Sequence, residues 1–227
     1  MSTTHTLLYF NIHGLAARIR LAFAVAGLPY TDRRFESREV FTTMKASGEL
    51  PFGQVPCLLV TDAATGATTK LAQSSAILRY VCALGGLYPG AAAPLLAAQV
   101  DAQVQAAADA MAALGVLTYP ARNGLAHLAE ADVAAGLEAQ RADVLPRHLG
   151  YLEAALGAAA GGGAGWVCAT ARPSPADFAW GTQLRDIRVG AVAAVPPAVL
   201  APFPRINAFL DKFLAVPEVA AYYAANP

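Results

Sequence analysis

The hydrophobic period of this 227-residue chain changes once, at Gly85-Gly86-Leu87-Tyr88-Pro89-Gly90. Before this glycine- and proline-rich stretch, short strand-like runs alternate with helical ones. After it the period is helical throughout. Segments with different periods need different cores, so two domains are expected, at about 1–86 and 94–227. Apolar residues make up 56% of the chain, ample material for both cores.

In the first segment, residues 5–11 contain Leu7, Leu8, Tyr9 and Phe10 and read as a short buried strand. His13-Gly14 turns the chain. Leu15, Ile19, Ala22 and Val25 then recur three or four apart, as one face of a helix that Gly27 stops. Tyr30–Phe35 and Leu58–Thr61 read as strands, and Asp62–Gly66 turns into Thr68–Leu71 as a hairpin partner. A helix over Ser75–Leu84 follows. Strand–helix–strand, then strand–strand–helix, is a thioredoxin-like order. The expected fold class is therefore an α+β thioredoxin-like N-terminal domain followed by an all-α C-terminal domain.

In the second segment Val100, Val104, Ala107, Ala108, Met111 and Leu114 fall on one stripe of a long helix. Ser174-x-x-Asp177 has the form of a capping box opening a helix that contains Phe178 and Trp180. Ile206, Phe209, Leu210 and Phe213 repeat at helical spacing until Pro217. The Ala- and Gly-rich stretch 158–165 reads as a loop.

Lys plus Arg and Asp plus Glu balance at 16 each, which argues against a nucleic-acid or anionic-membrane partner. Three cysteines (Cys57, Cys82, Cys168) with no C-x-x-C fit a reducing compartment better than a disulfide scaffold. Cys57 reads as core. The four histidines show no metal-ligand spacing, so no metal is expected. The polar start and the short Leu7–Phe10 run do not form a signal peptide, and no run reaches roughly 18 apolar residues. A cytoplasmic protein is expected.

The residues that carry chemistry cluster before the linker. Pro51-Phe52-Gly53-Gln54-Val55-Pro56 is a loop entering the third strand, with a proline that can adopt the cis form. Gln73-Ser74 stands just before a helical run, where a hydroxyl and unpaired N–H groups suit a small anion. Together they offer an extended peptide a strand-like backbone and a carboxylate site. Tyr9 closes the first strand just before a turn. A strand tyrosine ordinarily packs in a core.

Taken in order, Tyr9-Phe10-Asn11, the Val55-Pro56 loop, Gln73-Ser74, Ser174-Pro175-Ala176-Asp177 and Phe203-Pro204-Arg205-Ile206 resemble the cytosolic glutathione transferases over nearly the whole chain. The similarity is to the Tyr-type classes, above all sigma. The resemblance implies that Tyr9 is catalytic and that glutathione, a co-substrate with no further cofactor, is held by Phe41, Lys45, Gln54, Val55, Gln73 and Ser74. It also implies that Asp109 reaches the glutathione amine of a partner subunit in a homodimer. Phe52 resembles the aromatic key that some of these classes insert into the partner. Phe10, Ile12, Leu15 and Tyr119 would face a small apolar electrophile. The chain departs from the pattern at Phe41, where sigma relatives have Trp, and at Leu15, where they usually have Arg. Arg18, one turn from Leu15, is expected to be solvated, and His13 to lie on the surface. Gln105 and Ala108 stand where the carboxylates of a divalent-ion site would be. Open alternatives are a non-catalytic ligand-binding or structural member and a glutathione-dependent isomerase or peroxidase, and a conjugate such as trypanothione could replace glutathione.

Overall fold

The computed structural model describes residues 3–159 and 165–226. The chain divides into two compact units. One runs up to Gly90 and takes in the residues from Glu218 onward; the other is Ala91–Pro217. Sequence periodicity had put everything beyond residue 94 in one helical domain. The last helix joins the first unit through side-chain contacts that a hydrophobic period does not encode.

The first unit is built on a four-stranded sheet of order β2-β1-β3-β4. Its strands are β1 (Thr3–Phe10), β2 (Thr31–Phe35), β3 (Cys57–Asp62) and β4 (Thr68–Ala72). β1 pairs parallel with β2 and antiparallel with β3, and β3 pairs antiparallel with β4. The parallel pair needs a crossover, supplied by α1 (Ala17–Ala26), which Gly27 ends in a left-handed conformation at φ 65°. α3 (Ser74–Leu84) packs beside α1, so closely that a Cβ on Gly85 would stand 2.3 Å from that of Ala26. Beneath β1 and β2, Leu8, Phe35, Leu50 and Cys57 form a small core. The segment α2 (Arg38–Ala46) lays Val40, Phe41 and Met44 against it. Cys57 is fully buried, and burial pushes its thiol pKa up.

Two sequence expectations fail in α1. Leu15 does not start its apolar stripe: it lies in a 3-10 turn over Gly14–Ala16 and is 45% exposed. Arg18, expected in solvent, is buried, as is Arg20. The helix is covered on both sides from Ala17 to Phe23, so its long polar side chains have to run inside the unit.

The second unit is helical among its described residues: α4 (Pro94–Thr118), α5 (Glu130–Ala139), α6 (Leu145–Ala159), α7 (Pro175–Arg188) and α8 (Pro204–Leu214). Val100, Val104, Ala107 and Leu114 are buried along α4, and Ile206, Phe209, Leu210 and Phe213 along α8. The capping box forms as expected, with Ser174 and Asp177 bonded reciprocally. The stretch expected as a loop from 158 is helical at Ala158 and Ala159, and 160–164 lie outside the described residues. No described helix is long and apolar enough to cross a membrane. The segment α9 (Pro217–Ala225) follows.

Candidate functional site

Tyr9 ends β1 with only 7% of its surface exposed, and its ring stands against the turn that follows. The Leu15 backbone N–H donates to the Tyr9 phenol oxygen at 3.2 Å. That bond uses a lone pair and not the phenol proton. Gly14, at φ 41°, lies so close beneath the ring that a Cβ there would sit 2.6 Å from the phenol oxygen. A glycine is therefore required twice over, by backbone angle and by space.

Two loops bring together the residues expected to grip an extended peptide. Gln73 is the residue before α3 and has φ 70°, an unfavourable value for a side chain with a Cβ. Its Nε2 donates to Gln54 Oε1 at 3.4 Å. Ser74 is the first residue of α3, where amides lack intrahelical partners and the helix dipole favours an anion. The peptide before Pro56 is cis. The Lys45 side chain lies along the same loop: a Cβ on Gly53 would be 3.2 Å from Lys45 Cε. Phe52, at φ 58° and 77% exposed, projects from it. Phe41 packs edge-on to Phe10, ring centroids 5.1 Å apart, as part of the small core. Ile12 and Leu15 are exposed apolar residues of the turn after Tyr9.

Asp109 and Tyr119 belong to the second unit. Asp109 is exposed and accepts a bond from Gln105 Nε2 at 2.8 Å. Tyr119 is half exposed, with the Arg122 guanidinium 4.2 Å from its ring centroid. Among the described residues no three His, Cys, Asp or Glu side chains converge as a metal site would need.

Sequence reasoning missed the polar network beside Tyr9. Arg20 is 1% exposed. It donates to the carbonyls of Ile12 at 2.6 Å and Phe10 at 3.2 Å, pairs with Asp32 at 3.1 Å, and places its guanidinium carbon 5.8 Å from the Tyr9 ring centroid. Asp32 also pairs with Arg34 at 2.7 Å. That bond holds the Arg34 pKa above its ordinary value. Arg34 donates onward to Asn11 and to Asn226, each at 2.9 Å. His13, expected on the surface, is half-buried, with its Nδ1 3.2 Å from the Tyr222 hydroxyl. Arg20, Arg34, Asn11, Asn226, His13 and Tyr222, with Ile12, line a cavity of about 370 Å³ within the first unit. Burial raises the pKa of Tyr222, and it raises that of Tyr30 to about 12, with the Asp32 charge adding to it. The one signal in the sequence was a pair of arginines, Arg18 and Arg20, inside an otherwise apolar helical run.

Comparison with known proteins places this architecture. The model of the glutathione S-transferase N-terminal domain matches residues 5–83, and that of the C-terminal domain matches 123–226. Rat (Rattus norvegicus) hematopoietic prostaglandin D synthase is 30% identical over 223 residues, 98% of this chain and 96% of that protein. The chain belongs to the glutathione S-transferase family. A glutathione S-transferase of Plasmodium falciparum is 40% identical over 85 residues, 36% of this chain and 37% of that protein. The matched segment thus spans little more than a third of that relative's length. Among solved structures, the glutathione S-transferase of Ascaris lumbricoides is 27% identical, with a TM-score of 0.72 over 99% of this chain and 98% of that one.

Proposed function

We propose that this chain is a glutathione transferase of the Tyr type, close to sigma, in which Tyr9 donates a hydrogen bond to the glutathione thiolate. The observation that carries the reading is the placement of the phenol. Its oxygen is fixed by the Leu15 N–H in a turn of the same unit that carries Gln54, Gln73 and Ser74. Donation by a fixed phenol stabilises thiolate over thiol, so a reactive anion is present near neutral pH without a protein base. Val55 offers backbone to the cysteinyl portion, Gln54 orients it, and Gln73 with Ser74 takes the γ-glutamyl carboxylate at the helix terminus. Lys45 reaches the glycine carboxylate, while Phe41 contributes packing alone where an indole N–H would donate. No cofactor takes part. Ile12 and Leu15, beside Phe10, present apolar surface to an electrophile, and Tyr119 is proposed on the family pattern. The same pattern supports a cytoplasmic homodimer in which the exposed Phe52 is inserted into the partner and Asp109 meets the partner's glutathione amine.

Tyr9→Phe tests this reading. The thiol pKa of bound glutathione, followed by thiolate absorbance, should rise by about one to two units. kcat should fall while KM for glutathione changes little. An unchanged pKa removes Tyr9 from the role. A second reading is favoured by the full-length similarity to the rat synthase: the same thiolate could serve an isomerisation that returns glutathione unconsumed. Turnover of a prostaglandin endoperoxide without loss of free glutathione would select it over conjugation.

A further inference from the structure

The turn that fixes the Tyr9 phenol runs from the end of β1 at Phe10 to the 3-10 turn that starts at Gly14, and belongs to no regular element between them. Arg20 supports it from inside. Its two terminal nitrogens bind the carbonyls of Phe10 and Ile12, which lie on either side of Asn11. Its Nε lies 3.1–3.2 Å from the Asp32 carboxylate oxygens, which stops the plane from rotating. A rigid planar fork with three anchored corners sets the path of the turn in a way that a flexible amine cannot. Because Arg20 is 1% exposed, water does not compete for these bonds. Its charge also lies within cation–π range of the Tyr9 ring, at 5.8 Å. A positive charge there makes the phenol a stronger donor and favours a neighbouring anion.

We propose that Arg20 is a positioning residue for Tyr9: it holds the turn whose Leu15 N–H aims the phenol, and it thereby sets the thiolate fraction of bound glutathione. The proposal rests on the reading of Tyr9 as thiolate donor. It also accounts for an active site in which Leu15 occupies the position where relatives usually have Arg. The fixed positive charge comes from inside α1 and acts through the tyrosine, without itself touching the substrate.

Arg20→Lys keeps the charge but cannot hold both carbonyls and Asp32 in one plane. The thiol pKa of bound glutathione should rise by about half a unit, with kcat at neutral pH lower by about threefold and KM for glutathione within about twofold. In the Tyr9→Phe background the same substitution should leave that pKa where Tyr9→Phe alone puts it, because two residues acting through one bond are not additive. A general loosening of the fold would instead act equally in both backgrounds and raise KM. Equal shifts in the two backgrounds, or no shift in the parent protein, overturn the proposal. If Tyr9→Phe itself leaves the pKa unchanged, the reading of Tyr9 fails and the proposal falls with it. If Tyr9→Phe shifts the pKa and Arg20→Lys does not, only the proposal falls. Should Arg20→Lys not fold, Asp32→Asn, which frees the fork without removing it, is expected to give a smaller shift of the same sign, again absent with Tyr9→Phe. If neither variant folds, Arg20 serves folding and the proposal is overturned.

Discussion

The turn after β1 and the first half of α7 use the same two devices to different ends. Each has a glycine pressed against an aromatic ring: a Cβ on Gly14 would stand 2.6 Å from the Tyr9 hydroxyl, and one on Gly181 2.6 Å from two carbons of the Phe213 ring. Each has an aspartate that fixes the local chain, directly or through an arginine. Asp177 is fully buried and accepts from the Val167 N–H at 2.8 Å, the Ser174 N–H at 2.8 Å and the Ser174 hydroxyl at 2.7 Å. Asp32 is partly exposed and holds two arginines, one of which ties down the turn beside Tyr9. These three donors to Asp177 lie within ten residues of it, and the result is one helix start. The partners of Asp32 lead to the turn beside Tyr9, the proposed thiolate donor. A closed local network of this kind serves folding, whereas one that ends on an exposed turn can serve positioning, as proposed for Arg20.

The largest expected effect breaks the closed network. Asp177→Ala leaves buried donors without an acceptor and should cost about 3 kcal/mol, offset only in part by relief of a buried charge. That relief is real, because burial pushes the Asp177 pKa up against four favourable hydrogen bonds. A lower urea midpoint should show the loss, and folded protein should keep the parental thiol pKa of bound glutathione. A shift in that pKa would mean that the two networks are coupled and the comparison is wrong.

The glycine pair sharpens the contrast. Gly181→Ala overpacks α7 against Phe213 and should destabilise by about 1–3 kcal/mol, with the activity of folded protein unchanged. Gly14→Ala, strained at φ 41°, should cost only about 1 kcal/mol, since the turn is exposed and can shift. Its methyl must move the Tyr9 hydroxyl, however, so kcat should fall by about tenfold or more, the value of one pKa unit of lost thiolate stabilisation. Thermal melts and steady-state kinetics on the two variants should therefore rank in opposite orders. If Gly14→Ala keeps full activity, the phenol is not held as described.

The sequence made the closed network legible and hid the open one. Ser174 and Asp177 are three apart, a spacing that signals a helix start when a helical run follows it. Gln54, Gln73 and Tyr9 were legible through short motifs beside turns. Arg20 was not, because charged residues are ordinarily exposed and its partners are Asp32 on another strand and two carbonyls of a turn. Leu15 misled for a related reason: four residues before Ile19, it fits a helical stripe, but the 3-10 turn over Gly14–Ala16 rotates it off that face. The tie between Arg34 and Asn226 spans 192 residues, and no local pattern encodes such a contact. The left-handed Gln73 was equally invisible, since a residue type preference says little where the surrounding fold over-determines the backbone.

The smallest effect should come from the other end of β1. His5 is buried against Phe23, with its Nε2 3.2 Å from the Tyr80 hydroxyl, at the start of the strand that ends at Tyr9. Burial lowers its pKa from the ordinary 6.5. The unfolded chain therefore takes up this proton at a higher pH than the folded one does. The stabilisation tied to neutral His5 is fully present above pH 6.5 and is lost as pH falls through the lower folded value. Stability of the parent protein should thus decline on acidification below about pH 6.5, and His5→Gln should flatten that limb while leaving stability at pH 8 nearly unchanged. Since His5 is no part of the network around Arg20, the thiol pKa of glutathione bound to His5→Gln should equal that of the parent. A changed thiol pKa would show that β1 transmits strain along its length, and the separation between positioning and folding networks would then not hold within the first unit.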